Sequence, residues 1–229
     1  FNVATTAVPG DGDVSSAGTA SDAAAVYRGQ PEDILVVPRT VLADHSLLGQ
    51  GFMQTAAGKN VTMIEQLIRV HGQFAPRDRM EVDEAYKQII PYFVFTYNDQ
   101  LFLMQRSGGA NESRLASKYT LGIGGHVRHQ DLIEGNIAQW GHREFTEEVA
   151  YQGNVSITPL GILNDDSDAV GRVHLGVVYL LHGDSGQIAI RSELQSGRLA
   201  SRDECQGLYE SMEGWSQLVF DALKNARYI

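Results

Sequence analysis

Gly124-Gly125-His126-Val127, followed about a helix length later by Arg143-Glu144-Phe145-Thr146-Glu147-Glu148, is the stretch on which the reading of this chain turns. On a helix Glu144 and Glu148 stand one turn apart, with Glu147 beside them at i+3. Three carboxylates crowded onto one face repel each other, so the cluster calls for a counter-charge. All-oxygen ligands suit a hard cation such as Mg²⁺ or Mn²⁺. The glycines upstream let the backbone approach that cation, or a phosphate, closely. Together these features point to metal-assisted attack on a phosphate ester or anhydride.

Outward from the glutamates, Ile133, Ile137, Gly141, Phe145 and Val149 form an i+4 stripe that gives the helix one buried face. The spacing predicts a helix that starts after Asp131, its cap, and runs to about Val149. The carboxylates then lie beside the stripe, at the edge between core and solvent. Before it, 34–37 reads as a short strand ended by Pro38, 61–71 as an amphipathic helix closed by Gly72, and 88–97 with 101–104 as a hairpin turned by Asn98-Asp99. The loop 107–113 leads to a strand over 119–127. Strands near 156–163 and 173–181 follow, separated by the acidic turn 164–168. Ser201 and Glu204 form a capping box that opens a C-terminal helix, which breaks at Gly214. This order predicts an α/β/α sandwich with a mixed sheet, without internal repeats. Residues 1–28, rich in Ala, Gly, Ser, Thr and Asp, predict a flexible arm ahead of a single domain over 29–229.

The 229 residues suffice for one sizeable core. A net charge of −10 argues against a nucleic acid polymer held through its phosphates. It leaves small phosphorylated substrates open, because a bound divalent ion inverts the local field. The single cysteine, Cys205, rules out an intramolecular disulfide and reads as a packing residue, and no zinc-ligand spacing is present. Without an apolar run near the ~18 residues that cross a bilayer, and without a basic-then-apolar leader, no membrane partner is expected and a cytoplasmic setting is the default. The arm and the strand 34–37 leave a homodimer open.

These residues resemble the Nudix hydrolases, whose signature runs Gly, five residues, Glu, seven residues, then Arg-Glu-apolar-any-Glu-Glu-any-Gly-apolar. Arg143 to Glu148 matches the second half, Gly125 fits the leading glycine, and Gly124 to Val127 is similar to the family's approach to its box. The segment 173–181 and the region of Trp215 are similar to a later strand and closing helix. There are two departures. Asp131 stands where the family has Glu, and eleven residues rather than seven separate it from Arg143, so that either Asp131 or Glu134 takes the early acidic position. Ala150 replaces a glycine, so the helix is expected to end differently, near Gly153.

The resemblance implies Mg²⁺ or Mn²⁺ on Glu144 and Glu148, and a backbone carbonyl at Gly124 or Gly125 can complete the shell. Glu147 is either a third ligand or the residue that Arg143 holds in place. As general base the resemblance offers Glu193, with Asp165 or Asp166 of the acidic turn in competition. His126, Arg106 and Arg128 are candidate substrate contacts, as is Asp166. His126, His129, His142 and His174 show no spacing of a compact metal site. Tyr92, Phe93, Phe95 and Tyr97 read as core and edge. The expected activity is divalent-metal-dependent cleavage of a phosphoanhydride in a nucleoside diphosphate linked to another moiety, or in a related compound. The alternative is a non-catalytic Nudix-like sensor of a nucleotide or nucleotide sugar; such modules tend to lose ligand carboxylates, and here all three stand. A prenyl diphosphate isomerase would need a cysteine near the strand end, where none is found.

Overall fold

The computed structural model describes residues 32–54, 58–106, 117–133, 137–191 and 194–226. The expected arm, the loop 107–113, Glu134 and Glu193 lie outside them. Strand β1 (Asp33–Pro38) passes at Pro38 into helix α1 (Arg39–Asp44), and β2 (Gly51–Met53) precedes α2 (Lys59–His71), which Gly72 closes. Strand β3 (Gln73–Pro76) and the single turn α3 (Arg77–Met80) lead to β4 (Tyr86–Tyr97). Asn98 and Asp99, both left-handed with φ of 48° and 59°, turn β4 into β5 (Gln100–Arg106). That is the twist a two-residue hairpin needs.

The strand expected over 119–127 is broken into β6 (Tyr119–Thr120) and β7 (Gly122–Gly124). Of the helix expected after Asp131, the described parts are α4 (His129–Ile133), which begins before Asp131, and α5 (Ile137–Glu148). Its end differs too, because the chain passes directly into β8 (Val149–Tyr151), where Ala150 pairs with Ala189. An extended residue needs no left-handed cap, so alanine serves where the family signature has glycine. Then come β9 (Val155–Asn164), α6 (Ala169–Val173), β10 (His174–Gly183), β11 (Ile188–Ile190) and β12 (Leu194–Ala200). The capping box of Ser201 and Glu204 opens α7 (Arg202–Gly207), and a 3-10 turn at Tyr209–Ser211 separates it from α8 (Gly214–Asn225).

The main sheet runs β12-β5-β4-β10-β9-β2, with β1, β3, β6 and β7 added beside this path. The pairing of β4 with β10 is parallel, and the other named strand pairs are antiparallel. The sheet is therefore mixed. Alternation along its two central strands divides the core into two layers. Phe93, Phe95, Val177 and Tyr179 face one side, where α2 contributes Ile64 and α5 contributes Phe145. Tyr92, Val94, Val178 and Leu180 face the other, against Cys205 of α7 and Val219 and Phe220 of α8. This is the α/β/α order the sequence predicts. The hairpin aromatics are core: Phe93 stacks on Tyr179 at 5.0 Å, and Phe95 on Phe145 at 5.7 Å. Cys205 is fully buried, and burial pushes its thiol up to about 11, as suits a packing residue.

Candidate active site

The turn from β7 into α5 brings backbone and carboxylates together. A Cβ at Gly124 would stand 2.3 Å from the Pro91 carbonyl oxygen, so only glycine fits beside β4 there. At Gly125 it would stand 3.7 Å from Oε1 of Glu144, which places that carboxylate against the bare backbone. Glu144 and Glu148 both line a cleft of about 490 Å³, together with Gly124, Gly125, His126 and Arg128. Both side chains are partly buried. Burial, and then the charge of Glu147, raises the Glu144 carboxyl above its ordinary range. A cation in the cleft would relieve both effects. Glu147 itself is 62% exposed and is not among the cleft-lining residues. Its Oε1 lies 3.7 Å from Nε of Arg143, so the geometry favours the Arg143 partner over a third ligand.

Arg143 has a closer partner. Its Nη2 donates to Oδ1 of Asp131 at 2.5 Å. Oδ2 of Asp131 accepts the Arg128 backbone N–H at 2.7 Å and Arg128 Nε at 3.3 Å. Asp131 thus ties α4 to α5 from a buried place, while Glu134, the other candidate for the early acidic position, lies outside the described residues. Burial alone would raise its carboxyl, but these donors together hold it below its ordinary range.

A second part of the cleft lining comes from the turn after β7 and the start of β10. His126 and His174 meet there with ring centroids 5.5 Å apart and Nε2 atoms 3.4 Å apart. Nδ1 of His174 lies 2.7 Å from the Val170 carbonyl oxygen, and Nε2 of His126 lies 2.6 Å from Oε1 of Gln88. Burial, the Arg77 charge and His174 bring His126 down to about 4, and burial lowers His174 as well. A carboxylate oxygen of Glu81 completes a group whose atoms all lie within 4.8 Å of one another. The sequence spacing of the histidines did not predict this meeting. His129 packs elsewhere, edge-on to Phe74 at 4.9 Å.

Arg128 and Arg106 both line the cleft. Arg106 also donates through Nε to Glu213 Oε1 at 2.5 Å. Asp166 is corrected. Its carboxylate is engaged by Arg39 and by the fully buried Lys87, whose Nζ donates to Oδ1 at 2.7 Å and to the carbonyls of Gly171 and His174. Asp166 is not among the cleft-lining residues, whereas Asp165 and Asp168 of the same turn are. Lys87, Gln88 and Glu81 escaped the sequence reading. Lys87-Gln88 at the head of an otherwise apolar strand was the one available signal, since a buried strand carries charge only when it is paired.

No protein-family model matches the chain. Protein YmaB of Bacillus subtilis (strain 168) is 34% identical over 207 residues, covering 84% of this chain and 98% of that protein. The crystal structure of Tm1382, a proposed Nudix hydrolase, aligns with a TM-score of 0.67 at 29% identity, over 85% of this chain and all of Tm1382. This chain belongs to the Nudix hydrolase family. The Nudix domain of NrtR from Shewanella oneidensis, crystallised with ADP-ribose, shares the fold at a TM-score of 0.50 and 14% identity, covering 62% of this chain and 88% of that one. In this Nudix hydrolase the box has four residues more than the family signature between Asp131 and Arg143. Its Arg-Glu-Phe-Thr-Glu-Glu half stays on one uninterrupted helix.

Proposed function

We propose that this Nudix hydrolase cleaves a phosphoanhydride in a nucleoside diphosphate linked to another moiety, or in a related phosphorylated compound, and depends on Mg²⁺ or Mn²⁺. The observation that carries this reading is the pair Glu144 and Glu148, one helical turn apart and partly buried on one cleft wall beside Gly125. Their donor set fits a hard divalent ion: two carboxylates, with the Gly125 carbonyl as a third oxygen, in a place where burial already disfavours uncompensated charge. When bound, such an ion neutralises diphosphate charge and lowers the pKa of a coordinated water.

The chain's own residues do the rest. Arg143, pinned by Asp131, holds α5 to α4 and pairs with Glu147, while Glu144 and Glu148 line the cleft. Arg128 and Arg106, which line the cleft with His126, supply charge for substrate phosphates. Glu193 is the proposed general base by family likeness. Retention of all three box glutamates favours turnover over a purely sensing role.

A panel of nucleoside triphosphates, ADP-ribose and dinucleoside polyphosphates, assayed with and without Mg²⁺ or Mn²⁺, tests this reading. Glu148→Gln should lower turnover of any accepted substrate at least ~100-fold with the circular dichroism spectrum unchanged, and Glu193→Gln should lower kcat as well. Parent-like turnover by Glu148→Gln would remove its assignment. Binding without turnover under either metal would favour the sensor.

A further inference from the structure

We propose a second cation site in this protein, formed by Nε2 of His126, Nε2 of His174 and the carboxylate of Glu81, which takes a borderline transition-metal ion of the Zn²⁺ or Co²⁺ class. The two ring nitrogens are already 3.4 Å apart. Ligand atoms about 2.1 Å from an ion in a tetrahedral shell stand about 3.4 Å from each other, so this edge of the polyhedron is in place. The Glu81 oxygen, within 4.8 Å of both nitrogens, must move inward by roughly 1 Å. It sits on a 38% exposed side chain at the C-terminal end of α3, free to change rotamer and bonded to Arg77 Nε at a long 3.3 Å.

The hydrogen bonds set the tautomers. The Val170 carbonyl fixes the His174 proton on Nδ1 and leaves the Nε2 lone pair facing His126. A carbonyl behind the distal nitrogen is the usual outer partner of a metal-binding histidine. The Gln88 amide donates through Nε2 to the Met80 carbonyl at 3.1 Å, which turns its Oε1 toward His126 at 2.6 Å. His126 therefore points one proton from Nε2 between the Gln88 oxygen and the His174 lone pair. That proton holds the place a cation would take. On metal binding it is released to solvent or taken up at Nδ1 of the same ring, and the ion gains two imidazole nitrogens and a carboxylate. Imidazole donors select against Mg²⁺, so this site and the all-oxygen pair Glu144 and Glu148 would hold different ions.

His126 and His174 line the same cleft as those glutamates. A bound ion there would face substrate phosphates within that cleft. This role rests on the hydrolase reading, but binding of the ion does not.

The test uses Co²⁺ alone, titrated into metal-free protein and followed by visible absorption, with Zn²⁺ calorimetry alongside. One equivalent of Co²⁺ should bind with ligand-field bands that persist in excess Mg²⁺ and in Glu148→Gln. Glu81→Gln, whose side chain is peripheral, and His174→Gln should each weaken binding at least ~10-fold, with thermal unfolding of the Glu81→Gln protein unchanged. Absence of Co²⁺ binding, equal affinity in Glu81→Gln and parent, or loss of the bands in Glu148→Gln would each overturn the proposal. Retained bands in a protein inactive on every phosphoanhydride would leave this site standing and remove the hydrolase reading.

Discussion

Asp131 keeps its carboxylate 1% exposed while meeting two arginines, of which Arg143 is 43% exposed. Such a pair is worth more broken than made, because removing one partner strands the other's hydrogen bonds. Asp131→Asn should cost about 1–3 kcal/mol, at the low end because Arg143 can turn to water. The pH dependence has a definite sign. Asp131 is held below its unfolded value, so its contribution is present above the unfolded pKa of ~3.9 and is lost as pH falls through the lower folded value. In urea unfolding, parent and Asp131→Asn should differ at pH 7, and the difference should shrink as pH falls below ~3.9. A difference that stayed constant across that range would dissociate the ion pair from stability.

At the scale of elements, α5 depends on how closely it approaches β4. A Cβ at Gly141 would stand 1.6 Å from the Phe93 ring, which is stacked on Tyr179 and cannot withdraw. Gly141→Ala, favourable for an isolated helix by about 1 kcal/mol, should therefore destabilise the protein by about 1–3 kcal/mol. It should also displace Glu144 and Glu148, with kcat falling while thermal denaturation reports the lost stability. A Gly141→Ala protein as stable as the parent would mean that the helix rests elsewhere. The stripe Ile137, Gly141 and Phe145 was legible in the sequence because helical periodicity marks a buried face directly, and the hairpin because Asn98-Asp99 has one favoured turn. The tie that Asp131 makes was not. Asp131 has good capping chemistry, and nothing local reveals that Arg143, twelve positions on, claims its side chain. The meeting of Glu81, His126 and His174 was hidden for the same reason: three elements converge there, and no sequence spacing records it.

For the whole molecule, the charge of −10 means that folding gathers negative charge against itself. A divalent ion at Glu144 and Glu148 acts against that repulsion only in the folded state. Mn²⁺ at about 100 times its dissociation constant should add about 2.7 kcal/mol, which for a chain of this size raises Tm by roughly 5–10 °C. In Glu148→Gln the rise should shrink to a small fraction of this. An equal shift in both proteins would place the stabilising ion elsewhere. Among the described residues no helix is long and apolar enough to cross a membrane.

The parallel union of β4 with β10 also governs how the protein reaches this state. It begins where Lys87 meets His174, 87 residues apart in the chain, whereas the β4–β5 hairpin closes over two residues. Loop closure makes the distant pairing the slower event. Until β10 arrives, β4 carries an unsatisfied backbone edge and a largely apolar run over 89–95, the kind of surface that recruits other chains. The strand that contributes His174 to the cleft lining is thus also the one whose late arrival separates productive folding from aggregation.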